Sequence, residues 1–410
     1  MSVRQDAEQI IRSALHAAMP DTAVIKALKE IQFGPGKLVL VAVGKAAYQM
    51  AETAMGQLGS RVHSGVVVTK YDHSKGPLPP LSIYEAGHPV PDENSYRATQ
   101  AAIDAVSGLT AEDTVLFLLS GGGSALFEKP LIDPKDLGRL TEELLACGAD
   151  IVEMNTVRKR FSAVKGGKFA ALCAPAQVYS VVLSDIIGDP LDMIASGPTY
   201  PDSSTAAQAK AIAKKYALTL TPEMEALLEI ETPKTLSNIQ TRITGSVRQL
   251  CIAAEKACRD LGYTPVVLTA SLSCTARDAG VMLANIAQYH QDTETGLAFI
   301  AGGETVVHLT GHGKGGRNQE LALAAAPGIA GIPGAAVFSL GSDGTDGPTD
   351  AAGGYVDSET ARVLAEKGID IFSILQDNNA YYALSACDGL IKTSPTGTNV
   401  NDVSVLLLKR

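Results

Sequence analysis

At 410 residues, with 46% hydrophobic and 19% charged side chains, the chain has the make-up of an ordinary globular protein and the length for two or three domains. Lys and Arg number 34 against 44 Asp and Glu, a net charge of −10 with no basic run, which excludes the electrostatic footprint of a nucleic-acid binder. Apolar runs reach only strand length, as in Val115–Leu119, which excludes a membrane span; six cysteines without a CxxC pair argue for reduced thiols and against a disulfide framework or a zinc site.

The first ten residues carry Arg4, Asp6 and Glu8 and do not read as a secretory leader, so a cytoplasmic location is expected. From there, short β-branched runs recur, each followed by a Gly-rich turn and a helical pattern. Leu38–Val43 leads into Gly44-Lys45 and a helix from Ala46. Gly65–Thr69 and Leu81–Ala86 read as strands, Thr114–Leu119 runs into Ser120-Gly121-Gly122-Gly123-Ser124, and Val178–Leu183 ends at Ser184-Asp185. This alternation, with strands apolar on both faces, predicts a Rossmann-like, doubly wound, mostly parallel sheet. Prolines 198, 201, 222 and 233 then punctuate a stretch read as the approach to a domain boundary. The pattern restarts with strands at Asn238–Gly245, Thr264–Thr269, Gly296–Ala301, Ala335–Leu340 and Val403–Leu408, interleaved with helices at Val247–Leu261, Thr275–Tyr289 and from about Asn318. The expected organisation is an N-terminal domain over 1–236 and a smaller α/β domain over 237–410, with the active site in the cleft between them.

Nearly all the unusual loops follow strands, where open α/β sheets bind ligands. Gly44-Lys45 is no P-loop: Val39 and Ala46 break the pattern at both ends. It nevertheless sets an ammonium beside free helix N–H groups, a corner suited to an anion. Ser120–Ser124 exposes backbone N–H groups to whatever sits there; a nucleophile elbow on Ser124 fails because position 126 is Leu. The stretch from Asn155 through Arg158 to Lys165 carries several cations, mostly in the manner of a solvated helix face, but Lys165 ends a helix at a Gly-rich cap. Asp185 and Asp189 follow a strand and would serve Mg²⁺, which wants one or two carboxylates beside substrate phosphates; Asx-turn chemistry is the bland reading of the same residues. Glu304 follows a strand, and Arg317-Asn318 opens a helix, where a guanidinium can clamp a phosphoryl group. His308 and His312 straddle a strand and a turn and do not form a metal pair. Gly311–Gly316 matches GxGxxG literally but lacks the acidic residue about 20 positions on that a dinucleotide site needs. Asp343, Asp346 and Asp350 lie among glycines without EF-hand spacing; their loop is suited to a metal, a polyol or its own backbone.

Seven stretches, VAVGKAA, GHPVPDENS, SGGGSAL, NTVRKRFSAVKGGK, SDIIGDPLDMIASGPT, GGRNQELALAAA and GSDGTDGPTDAAGG, fall in this order over nearly the whole chain. Together they resemble the class II glycerate kinase family, whose C-terminal part is the MOFRL domain. The resemblance implies ATP-dependent phosphorylation of D-glycerate, commonly at the 2-hydroxyl, with Mg²⁺ required. It carries the family's catalytic lysine onto Lys45 and its catalytic arginine onto Arg317. Ser120, Gly121, Gly122, Gly123, Ser124, Lys165 and Asn318 then become nucleotide or phosphate contacts, and Asp185, Asp189 and Glu304 metal ligands. His88, Asn155, Arg158, Asp343 and Asp346 remain as substrate or loop candidates. The expected partners are ATP and D-glycerate, without nucleic acid or membrane, for a monomer or homodimer. The competing reading is an NAD(P)H-dependent hydroxypyruvate reductase, a label members of the family often carry, and its support in the residues is the GxGxxG at 311–316 alone.

Overall fold

The computed structural model describes residues 2–394 and 396–410. The chain folds into two compact units.

One unit comprises Val24–Leu183 and Asp189–Thr244. It is built on β1 (Leu38–Val43), β2 (Val62–Lys70), β3 (Leu81–Ala86), β4 (Thr114–Leu119), β5 (Gln177–Leu183) and β6 (Ile239–Gly245), in the order β3-β2-β1-β4-β5-β6. β1 pairs in parallel with β2 and β4, β2 with β3, and β4 with β5. Every residue of β1 and β4 is buried, so both faces of the sheet centre are covered, as in doubly wound folds. The chain steps outward from β1 to β3 on one side and from β4 to β6 on the other. β1 and β4 therefore meet at the switch point, and the loops leaving their carboxyl ends part around a crevice. Beneath those loops Phe117 of β4 packs on Phe127 and Phe169, with ring centroids 5.8 and 5.3 Å away.

The other unit comprises Ser184–Gly188 and Gly245–Arg410 together with the N-terminal segment through Ala23. Its strands are β7 (Thr264–Leu272), β8 (Leu297–Gly303), β9 (Ala335–Gly341), β10 (Gly353–Asp357), β11 (Leu390–Ile391) and β12 (Asp402–Leu408), in the order β11-β10-β9-β12-β8-β7. β7 and β8 run parallel, while the pairs from β8 through β12, β9 and β10 to β11 are antiparallel. β12, the last strand, is buried throughout and lies between β8 and β9. Its register sets Asp402 opposite both Gly303 and Gly341, so an acidic side chain starts where two neighbouring strands end.

Several features depart from the sequence reading: the strand Ile239–Gly245, expected to open the second domain, lies beside β5 at the edge of the first sheet, and Ser184–Gly188, expected in the first domain, belongs to the second unit. The helix Val3–Ala18 belongs with the second unit rather than with 24–236. Ala7, Ile10 and Ala14 join Leu250, Ala254 and Val403 in one core, and the buried Asp6 accepts from Tyr263 Oη (2.7 Å) and Lys409 Nζ (2.6 Å). An amphipathic pattern shows that a helix buries one face, not which sheet receives it. The stretch 341–354, read as one Asp/Gly loop, already becomes β10 at Gly353. The strand begins with two glycines that pair with Leu340 and Ser339, and without side chains they carry no periodic signal. Among the described residues no helix is long and apolar enough to cross a membrane, and all six cysteines are free thiols.

Phe117→Ala should lower the unfolding free energy by about 3–5 kcal/mol, the cost of an unfilled aromatic site. Denaturant unfolding checks this, and an unchanged midpoint would contradict the three-ring core.

Candidate active site

At the end of β1 the backbone turns through Gly44 with φ of +120°, where a Cβ would run into Ser120. Only glycine lets the two loops at the switch point approach so closely. The contact is cemented by Lys45 N–H donating to Gly121 O (2.9 Å) and Ala46 N–H to Ser120 Oγ (3.0 Å). Ser120 is thus buried and spent on joining the loops, whereas the amides of Gly121 and Gly122 have no acceptor among the described residues. The Lys45 side chain is exposed, and its ammonium has no partner among the described residues. Its stem and the His88 ring flank Gly122: a Cβ there would lie 3.2 Å from Lys45 Cγ and 3.0 Å from His88 Cδ2. Burial, aided by the charges of Lys45 and Lys70, holds the His88 pKa below its ordinary value, so the ring beside the lysine is neutral at pH 7. His73 contacts Lys45 O through Nδ1 at 3.0 Å.

The same loop is fixed from its other end. Lys165 is fully buried and donates to Ser124 O (2.7 Å) and to Glu128, itself fully buried. Burial lowers the Lys165 pKa to about 8, against the pull of Glu128. Ser124 Oγ meets Ser196 Oγ at 3.3 Å, and Ser196 Oγ donates to Asn155 Oδ1 at 3.0 Å. Ala195, Ser196 and Gly197 all have positive φ, a strained run held by Gly166 N–H on Ser196 O (2.9 Å) and Gly167 N–H on Gly197 O (2.7 Å). In the same segment Asp189 is left-handed, and its buried Oδ1 has no hydrogen-bond partner among the described residues.

In the second unit Arg317 opens the helix Arg317–Ile329. Asp402 grips it by two bonds, Nε to Oδ2 (2.5 Å) and Nη2 to Oδ1 (2.9 Å), and Nη1 donates to Glu304 Oε1 (2.9 Å). Burial works against the guanidinium charge, but Asp402 and Glu304 outweigh it and raise its pKa, so Arg317 stays ionised. Two of its five N–H donors are left over. Glu304 Oε2 accepts from Asn401 Nδ2 (3.1 Å), which also donates to Asp185 O (3.2 Å). Asp346 takes the helix N-terminus, accepting from Asn318 N (3.1 Å), Asn318 Nδ2 (3.2 Å) and Gln319 N (2.9 Å). Asn318 is buried, its carbonyl bound by Ser339 Oγ (2.5 Å). Beside Arg317 opens a cavity of about 920 Å³ lined by Glu304, Asp343 and Asp346 together with Val307, Leu309 and Pro348.

The residues singled out in the sequence therefore fall into two classes. Lys45, Gly121, Gly122, His88, Arg317 and Glu304 present themselves at loop ends. Ser120, Lys165, Asn318 and Asp346 are buried and spent within the protein, holding the first set in place. The 311–316 glycines are no dinucleotide cradle: the amides of Thr310 and Gly311 donate to Asn378, those of His312 and Gly313 to Asp377, and that of Lys314 to Asn379. Asp402, Asn401, Glu128 and His73 were not foreseen. An acid at the head of a buried strand was the one visible signal for Asp402; nothing local marks the others. Among the described residues no three His, Cys, Asp or Glu side chains gather as a metal cage.

Burial pushes the Asp346 carboxyl up to about 6, above the ordinary value of about 3.9. Between these values the folded state holds the proton more tightly than the unfolded chain. The stability Asp346 contributes is full below about pH 4 and falls as pH rises to about 6. The unfolding free energy of the wild type relative to Asp346→Asn should thus drop by about 2–3 kcal/mol across that window. A difference independent of pH, measured by denaturant titration, would contradict it.

A family model described as a domain of unknown function (DUF4147) matches residues 6–229, and the MOFRL family model matches 297–402. A D-glycerate 2-kinase of Thermotoga maritima is 47% identical over 99% of both chains. A putative hydroxypyruvate reductase of Agrobacterium vitis is 37% identical, covering all of this chain and 95% of its own. The crystal structure of a glycerate kinase from Thermotoga maritima superposes with a TM-score of 0.95 over 98% of this chain and 99% of that one. Matched from end to end in sequence and in fold, the chain belongs to the glycerate 2-kinase family with its C-terminal MOFRL domain.

Proposed function

We propose that this chain transfers the γ-phosphoryl group of ATP to the 2-hydroxyl of D-glycerate, with Lys45 and Arg317 as its catalytic cations. The observation that carries the assignment of roles is the exposed Lys45 side chain against Gly122 at the switch point, its ammonium and the Gly121 and Gly122 amides without partners among the described residues. Phosphoryl transfer asks little covalent chemistry of a protein and a great deal of positioning and charge stabilisation. Lys45 and the glycine amides meet the oxygens of the transferred group. Arg317, held by Asp402 and Glu304, keeps two N–H donors for phosphoryl charge. The cavity beside Arg317, with Leu309 and Val307 in its wall, suits the base of the nucleotide.

Mg²⁺ would arrive with the nucleotide, neutralising phosphate charge when bound, and needs one or two carboxylates from the protein. Asp189, with a buried oxygen lacking any partner among the described residues, fits that need. Asp185 and Glu304 are the further acids proposed for it, Glu304 through lone pairs left beside Arg317 and Asn401. No observation favours hydride transfer, since four of the six GxGxxG amides, from Gly311 to Lys314, are already occupied.

The purified protein should release ADP from Mg-ATP only when D-glycerate is present, and should not oxidise NADH with hydroxypyruvate. Lys45→Met and Arg317→Lys should each cut turnover by about 10²–10³-fold while melting within a few degrees of the wild type. Near wild-type turnover in either variant would overturn the catalytic roles of Lys45 and Arg317, and NADH oxidation without glycerate-dependent ADP release would overturn the function.

A further inference from the structure

The helix Ile151–Arg158 and the turn after it bring five cations into the Lys45 unit, and four of them have internal partners, although Arg160 Nε has none among the described residues. Lys159 donates to Asp202 (2.9 Å), Arg160 to Glu231 (3.3 Å) and Ser204 O (2.9 Å), Lys165 to Glu128, and Lys168 to the carbonyls of Lys159 (3.0 Å) and Ser162 (2.6 Å). Arg158 is the exception. It is half-buried, its Nε is out of contact with solvent, and neither Nε nor the rest of the guanidinium has a hydrogen-bond or ionic partner among the described residues. Withdrawing a cation from water without an acceptor is costly, and a folded protein keeps such an arrangement where the missing partner comes from outside.

Its surroundings lead to the glycine loop. Arg158 stands one turn from Asn155 on the same helix, and i, i+3 residues share a face. Asn155 is tied through Ser196 to Ser124, the last residue of the glycine loop. The field of Arg158 also reaches Lys165, which grips Ser124 O from below. Gly122, at the other end of that loop, touches Lys45. Gly122 and Ser124 are two residues apart, a span of at most about 7 Å. A small hydroxy acid places its carboxylate and the hydroxyl on its second carbon within such a distance, and Lys45 with the glycine amides already answers the phosphoryl charge.

We propose that Arg158 binds the carboxylate of D-glycerate and so selects hydroxy acids over neutral polyols, with Asn155, Ser196 and Ser124 fixing the loop beside it. This rests on the kinase reading above. The planar guanidinium matches a carboxylate by two parallel N–H···O bonds, which a lysine cannot reproduce.

The test is steady-state kinetics of the full chain with each substrate varied in turn. In Arg158→Met the KM for D-glycerate should rise about 10- to 100-fold, the worth of a charge-assisted pair, with the KM for ATP unchanged. The wild type's preference for D-glycerate over D-glyceramide, its neutral isostere, should collapse in the same variant. Arg158→Lys keeps charge and stem and should lie between the two, which also covers the case in which Arg158→Met fails to fold. An unchanged KM for D-glycerate in the variants, or a rise confined to the KM for ATP, would overturn the assignment; the latter would make Arg158 a phosphate contact. The wild-type arm reports separately on the kinase reading, because a wild type inert toward D-glycerate fails before any variant is compared.

Discussion

Glu128 and Lys165 hold each other inside the first unit, both closed to solvent, and the glycine loop depends on them. A buried ion pair seldom adds net stability over well-packed apolar residues, but losing one partner strands the other charge. What this pair supplies is position. Lys165 spends a further donor on Ser124 O, so a loop of three glycines, soft by itself, is pinned at its end. Its beginning is pinned by Ser120 against Ala46. Between those two points the Gly121 and Gly122 amides have no acceptor among the described residues, and the Lys45 stem lies against Gly122.

Arg317 obeys the same logic from the opposite sign. Asp402 can hold it because β12 lies between β8 and β9 and begins where both of them end. The guanidinium is oriented by two carboxylates and the helix behind it is capped by Asp346, so a side chain with many rotamers has one place to be. Orienting a cation before a substrate arrives is how charge stabilisation avoids the cost of rearrangement during reaction. In both units the acids and lysines that look most reactive on paper are the supports. The groups with donors to spare are fewer: Lys45 and the glycine amides follow strands, while Arg317 opens a helix and Arg158 ends one.

Much of this was legible in the residues. Most strands of both sheets read out because β-branched apolar runs such as Leu38–Val43 and Thr114–Leu119 are buried on two sides, and the loops after them stood out for their glycines. Legibility failed where a role depends on distant partners. Lys165 and Asn318 look like ligand contacts locally, and only Glu128, 37 residues away, and Asp346, 28 residues away, show them to be spent. Asp402 closes on Arg317 across 85 residues of chain, a distance no local pattern spans. The helix Val3–Ala18 announced its amphipathic face but not its destination, and Gly353-Gly354 hid a strand by having no side chains to alternate.

If Lys45, the glycine amides and Arg317 carry the roles proposed for them, the enzyme makes a phosphate ester on the second carbon of D-glycerate. Phosphorus NMR of the purified protein incubated with Mg-ATP and D-glycerate decides this, since product and regiochemistry are read from one spectrum. The 2-phosphoglycerate resonance should grow in step with ADP; a 3-phosphoglycerate resonance, or no new phosphate ester at all, would contradict the proposed reaction.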